Sequence, residues 1–123
     1  MHLKHLDLER RRAVLDIAVL GMYVDGHLAA MEDQRIQHLL DLLAMGSDTE
    51  QQREYDASVA RVREHSDHIE SAIEHGVELA SLFGDRDERR WVADALKDLL
   101  ASDGSISERE NTFFQTVCAS LEA

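Results

Sequence analysis

Four carboxylates are spaced as if for chemistry: Asp25 with Glu32, and Asp103 with Glu110 at an offset of 78 residues. Each pair belongs to one motif written twice, Asp25-Gly26-His27-Leu28-Ala29-Ala30-Met31-Glu32 and Asp103-Gly104-Ser105-Ile106-Ser107-Glu108-Arg109-Glu110. An Asp-Gly followed by an apolar residue, with a Glu seven after the Asp, is the second half of an EF-hand loop, where both acids bind calcium. The first half is missing, because the positions for the first two ligands hold Gly21 and Tyr23 in one copy and Leu99 and Ala101 in the other. A standard EF-hand is therefore excluded, and a pooled site survives. If the two turns meet, Asp25, Glu32, Asp103 and Glu110 converge, and carboxylates about 5 Å apart repel by roughly 3 kcal/mol per pair at an effective dielectric near 20. Such a group takes a divalent cation, a basic partner or shared protons.

Folding grammar explains part of the same motif. Ser107 followed three residues later by Glu110 is a capping box, in which hydroxyl and carboxylate each satisfy a free amide of a new helix. Leu28 and Ile106 are then apolar anchors beside the helix starts. The aspartates fit less well, since a carboxylate at a helix C-terminus opposes the macrodipole at a cost of roughly 0.3 to 1 kcal/mol. An Asx-turn to the backbone two residues on compensates for that. Both readings, ligand site and helix caps, stay open at the level of sequence.

Other chemistry has less support. His65, Asp67, His68 and His75 form the densest histidine group, but they straddle an expected helix break and include no cysteine to close a zinc set. No Glu is followed three residues later by His, so the paired motif of di-iron bundles is absent. Phosphate loops, nucleophile elbows and zinc-protease motifs are missing as well, which leaves no positive sign of an enzyme. Cys118, the single cysteine, has a helical apolar setting that suits core packing and a reducing compartment. Arg10-Arg11-Arg12 reads as a solvated helix face.

These residues must be held by helices. The chain has no proline among 123 residues, few aromatics and no strand pattern. A first helix is expected from Leu8 to Val24, apolar all round except for Asp16 and hence central, with Gly26 as its C-cap glycine. A second runs from about Ala30 to Met45, with Ile36, Leu39, Leu40 and Leu43 on one stripe. Gly46-Ser47-Asp48 ends it and caps a polar helix, Thr49 to Glu64, expected to lie exposed with Tyr55, Val59 and Val62 as a sparse apolar face. After a cap at Ser66 or Asp67 comes a narrow stripe of Ile69, Ile73, Gly76, Val77 and Ala80, ending at Phe83-Gly84, with Gly76 suited to a close helix crossing. Asp85 with Glu88 resembles a capping box ahead of Trp91, Val92, Ala95, Leu96, Leu99 and Leu100. A last helix, with Phe113 and Phe114 at core spacing, ends near Leu121.

The pattern is a compact all-α bundle of about six helices in one domain. Val14, Ile17, Ala18 and Met22 align with Val92, Ala95, Leu96 and Leu100, while Ile36, Leu39, Leu40 and Leu43 align with Phe114, Val117, Cys118 and Leu121. Repeat units at about 8–45 and 85–122, joined by helices over 48–84, give a duplicated helix-turn-helix. Thirteen basic against 25 acidic residues leave a net charge of −12, which repels nucleic acid and anionic membranes and favours cations or basic protein surfaces. A charged N-terminus and the lack of a long apolar run lead to the expectation of a cytoplasmic protein without a transmembrane segment.

The twin motif resembles the TerB-like family, helical domains named for bacterial tellurite-resistance proteins and marked by two copies of Asp-Gly, an apolar residue, a small capping residue and Glu. The resemblance covers about Ala13 to Leu43 and Trp91 to Leu121. It assigns the family's acidic positions to Asp25, Glu32, Asp103 and Glu110; the first copy departs in having Ala29 where a capping Ser or Thr is usual, and His27 beside the glycine. What the resemblance implies is a non-catalytic binding or scaffold module linked to tellurite resistance or general stress response. A divalent cation at the acidic residues is its implied ligand, and a protein, basic or membrane-associated, its implied partner. The alternative is a protein interaction module whose acidic motifs are only helix caps.

Overall fold

Every residue from Ala13 to Met22 is buried, and a helix buried on all sides has to stand at the centre of its bundle. It does so in a computed structural model, which describes residues 6–23, 34–65, 67–101 and 108–122. The elements are α1 (Leu8–Tyr23), α2 (Gln34–Leu42), α3 (Asp48–Val62) extended by a 3-10 turn at Arg63–His65, α4 (Ile69–Ala80), α5 (Arg86–Ala101) and α6 (Glu108–Glu122). No strand occurs among the described residues. Nor is any helix there long and apolar enough to cross a membrane. The chain is a compact all-helical bundle in which α3, α4 and α6 pack on α1, while α5 packs on α6 and α2.

Two glycines permit close helix crossings. A Cβ on Gly21 of α1 would lie 2.6 Å from Cε2 of Phe114 and 2.7 Å from Cδ1 of Phe113. One on Gly76 of α4 would lie 2.9 Å from Cγ2 of Val117 and 3.0 Å from Cζ of Phe113. Phe113 is thus wedged between α1 and α4, each of which gives up a side chain to admit it. The ring meets Phe114 edge to face at 5.2 Å and 87°, a favourable aromatic geometry. The close crossing expected at Gly76 is the contact of α4 with α6.

Several boundaries differ from the sequence pattern for physical reasons. The second helix stops at Leu42, short of Met45, because Ala44 turns left-handed at φ 53°. The amide of Ala44 then donates to the Asp41 carbonyl at 3.1 Å and that of Met45 to the Leu40 carbonyl at 3.3 Å. This is a Schellman closure with alanine where glycine is usual. The next start is as expected: Ser47 and Glu50 form a reciprocal capping box at the head of α3. The cap of α4, by contrast, is His68, with no side-chain hydrogen bond, in place of Asp67 or Ser66; the latter lies outside the described residues. Asp85 caps α5 by accepting from the amides of Asp87 and Glu88 at 2.8 and 3.3 Å, while Glu88 faces Arg10 at 3.8 Å.

The helix expected to lie exposed is half buried. α3 sets Gln51, Tyr55, Ser58, Val59 and Val62 into the interior. Its thin apolar stripe suffices because polar ties to α1 supplement it.

α1 and α5 each have 16 residues, and both their ends stand at the same offset of 78 that separates the Asp-Gly motifs.

Candidate functional site

Of the four acidic motif residues, Asp25, Glu32 and Asp103 lie outside the described residues, and the Asp-Gly turns with them. Glu110 is described and stands in the first turn of α6, 6% exposed. Burial of an ionised carboxylate requires a partner. Arg35, in the first turn of α2, supplies one by donating from Nη1 to Oε2 of Glu110 at 3.3 Å. Both side chains are largely enclosed, at 12% and 8% exposure. The helices that follow the two motifs therefore begin within one ion pair of each other, across 75 residues of chain. Sequence reasoning missed Arg35; the signal was the need for a basic partner, with Arg35 three residues beyond the first motif's Glu32.

A second ionic cluster joins α1 to α3. Asp16, the lone acid in the apolar stretch of α1, is 5% exposed. It accepts from the Ser58 hydroxyl at 2.6 Å and from Arg61 twice, at 2.9 Å from Nε and 2.8 Å from Nη2. One turn earlier Arg12 grips Glu54 with a second fork, both bonds at 2.9 Å. That hydrogen-bonded pairing holds the Glu54 carboxyl below its usual range and raises Arg12. Ser58 is fully buried and its hydroxyl donates to the Asp16 carboxylate, so it is not placed to attack a substrate.

The arginine run at the start of α1 is consequently no solvated face. Arg11 donates to the carbonyls of Leu43 and Ala44 at 3.2 and 3.3 Å, closing the end of α2, and Arg10 donates to the Leu82 carbonyl at 3.1 Å. All three residues tie α1 to other parts of the bundle.

The histidine group does not converge. His65 and His75 stack face to face, with centroids 3.8 Å apart and planes 13° from parallel, while Asp67 and His68 are exposed. Stacked rings direct their nitrogens outward along parallel planes instead of toward one ion. Burial, then the neighbouring His65, lowers the pKa of His75. Among the described residues no three His, Cys, Asp or Glu side chains gather as a metal site. Cys118 is buried, its thiol pushed up to about 11 chiefly by desolvation, which suits core packing.

Compared with family models, curated proteins and solved structures, the chain matches none.

Proposed function

We propose that the protein is a non-catalytic binding or scaffold module of the TerB-like kind, in which the acidic motifs tie the two helical units together and an outward helix face does the binding. The observation that carries this reading is the Glu110–Arg35 pair. A buried carboxylate already met by a guanidinium serves the fold without a metal. The twin Asp-Gly motif supports a role in tellurite resistance or general stress response. Leu8 and Leu82, the exposed large apolar residues among those described, border one groove with Leu79 beside Arg12 and Arg61, a surface suited to a protein partner.

A second reading, a divalent cation held by Asp25, Glu32, Asp103 and Glu110, is favoured by the closeness of the first turns of α2 and α6. Such an ion would compete with Arg35. Calorimetric titration of the metal-stripped protein and of its Arg35→Gln variant with calcium, magnesium, manganese and zinc separates the two. The structural reading expects no saturable heat from either protein, and a loss of about 3 kcal/mol of stability in Glu110→Gln. Saturable heat that disappears in a folded Asp103→Asn/Glu110→Gln protein would overturn it in favour of the cation.

A further inference from the structure

The offset that aligns the two Asp-Gly motifs also aligns Arg89, Arg90 and Asp94 of α5 with Arg11, Arg12 and Asp16 of α1. The two sets meet different fates. On α1 the face is covered by α3, where Glu54 takes Arg12 and where Ser58 and Arg61 take Asp16. On α5 the same face borders a concavity of about 620 Å³, lined by Arg86, Arg89, Arg90, Asp94 and Lys97 of α5 and by Glu122 of α6. Its apolar lining residues, Ala93 and Leu121, are both buried.

The arginines here lack what five other cations have found. Arg10, Arg12, Arg35, Arg61 and Lys97 each meet a carboxylate. Among the described residues Arg86, Arg89 and Arg90 form no ion pair, in a chain with 25 acidic residues to 13 basic ones; Arg53 and Arg109, on other helices, also have none. The Nε of Arg89 is buried with no hydrogen-bond partner, as is that of the aligned Arg11, but Arg11 donates from Nη1 to two carbonyls and, among the described residues, Arg89 does not. Like charges at i, i+3 and i+4 repel along a helix and cations oppose the dipole at its N-terminal end, so grouping the three arginines here works against the helix. Where α1 has Val19, moreover, the aligned position of α5 is Lys97. The face has exchanged an apolar docking position for another cation.

We propose that this groove binds a small multivalent oxyanion, a phosphate or polycarboxylate compound, gripped by Arg86, Arg89 and Arg90, with Lys97 at the far end. Guanidinium forks match the oxygen spacing of phosphate and carboxylate. The Arg12–Glu54 fork, with bonds of 2.9 Å, shows the pairing that the aligned Arg90 is free to make. The concavity has the size of a small-molecule site. Asp94 and Glu122 also line it, and with Glu122 paired to Lys97 the arginines are the surplus charge. The site is distinct from the acidic motifs, and the two proposals stand or fall separately.

The test is calorimetry and thermal denaturation of the full chain with inorganic phosphate, pyrophosphate and citrate, each against sodium chloride of equal ionic strength. One equivalent of pyrophosphate or citrate is expected to bind and to raise the melting midpoint. Preference for pyrophosphate assigns phosphate chemistry, and preference for citrate assigns carboxylate. Arg89→Gln/Arg90→Gln should weaken binding by at least about tenfold, Arg86→Gln by less, and Arg53→Gln on α3 not at all. Circular dichroism establishes that each variant is folded, and Arg86, being exposed, provides the variant least tied to the fold. Absence of binding beyond the chloride control, or unchanged affinity in folded Arg86→Gln and Arg89→Gln/Arg90→Gln proteins, overturns the proposal.

Discussion

Asp16 and Arg61 share two hydrogen bonds, yet their removal should not cost the same. The Asp16 side chain is 7% exposed and that of Arg61 is 39% exposed. In Asp16→Asn the amide oxygen still accepts the Ser58 hydroxyl, and the released guanidinium can turn to water. Breaking a buried pair costs about 3 to 5 kcal/mol when the remaining charge is trapped; with Arg61 partly solvated, a loss of about 2 kcal/mol is expected. Arg61→Gln leaves the carboxylate inside the bundle with Ser58 as its hydrogen-bond donor and with Arg12 and His75 only in electrostatic reach. Its cost should approach about 4 kcal/mol. The double variant has neither a stranded charge nor a missing partner, so it should be about 1 to 2 kcal/mol more stable than the sum of the single losses implies. Urea denaturation of the four proteins at neutral pH, read by helical circular dichroism, measures all of these terms. Equal losses in the two single variants, or strict additivity in the double, would refute the trapped-charge reasoning.

Four further outcomes follow from the packing. Gly21→Ala should lose about 1 to 3 kcal/mol in the same assay, because the new methyl meets the fully buried rings of Phe113 and Phe114 and overpacking exceeds the roughly 1 kcal/mol gained in helix propensity. Ala44→Gly should gain about 1 kcal/mol, since exposed Ala44 holds φ 53° at the Schellman position. With the Cys118 thiol at about 11 and buried, a thiol reagent at pH 8 should label the protein only as fast as it opens, and urea should abolish the protection. The folded-state pKa of His75 is lowered below 6.5, so the stability that its neutral form contributes is present above that pH and is lost as pH falls through it. Between pH 7 and 5, where Asp7 and Glu54 with their lowered values stay ionised, the melting midpoint should fall. His75→Gln should flatten that slope, with Glu78 and Asp16 opposing the effect only in part.

The helices, the central place of α1 and the glycine crossing at Gly76 were legible because each depends on local spacing. Periodic apolar residues state which face is inward, whatever lies across from it. The ionic ties were not legible in the same way. Arg12 reaches Glu54 across 42 residues, Arg61 reaches Asp16 across 45 and Arg35 reaches Glu110 across 75. No periodicity encodes such partners, and a polar helix such as α3 therefore reads as surface until its contacts are known. Asp16 was the exception that carried a signal, since a lone acid in a buried stretch demands a donor from elsewhere. For the candidate site, only Glu110 of the four motif carboxylates falls among the described residues, and its partner was the feature the motif could not supply.

The comparison of α1 with α5 locates where a binding role can reside. Helices of equal length at one offset share arginines and an aspartate at aligned positions, but α1 is enclosed and α5 is exposed along Arg86, Arg90, Asp94 and Lys97. Enclosure converts the α1 charges into internal ties, whose loss is felt as stability. Among the described residues, exposure leaves Arg86 and Arg90 without a carboxylate partner, while Lys97 meets only Glu122 at the surface, and loss of the two arginines should change affinity while leaving stability nearly untouched. The same substitution, Arg to Gln, at Arg12 and at Arg90 therefore distinguishes a structural arginine from a functional one within a single chain.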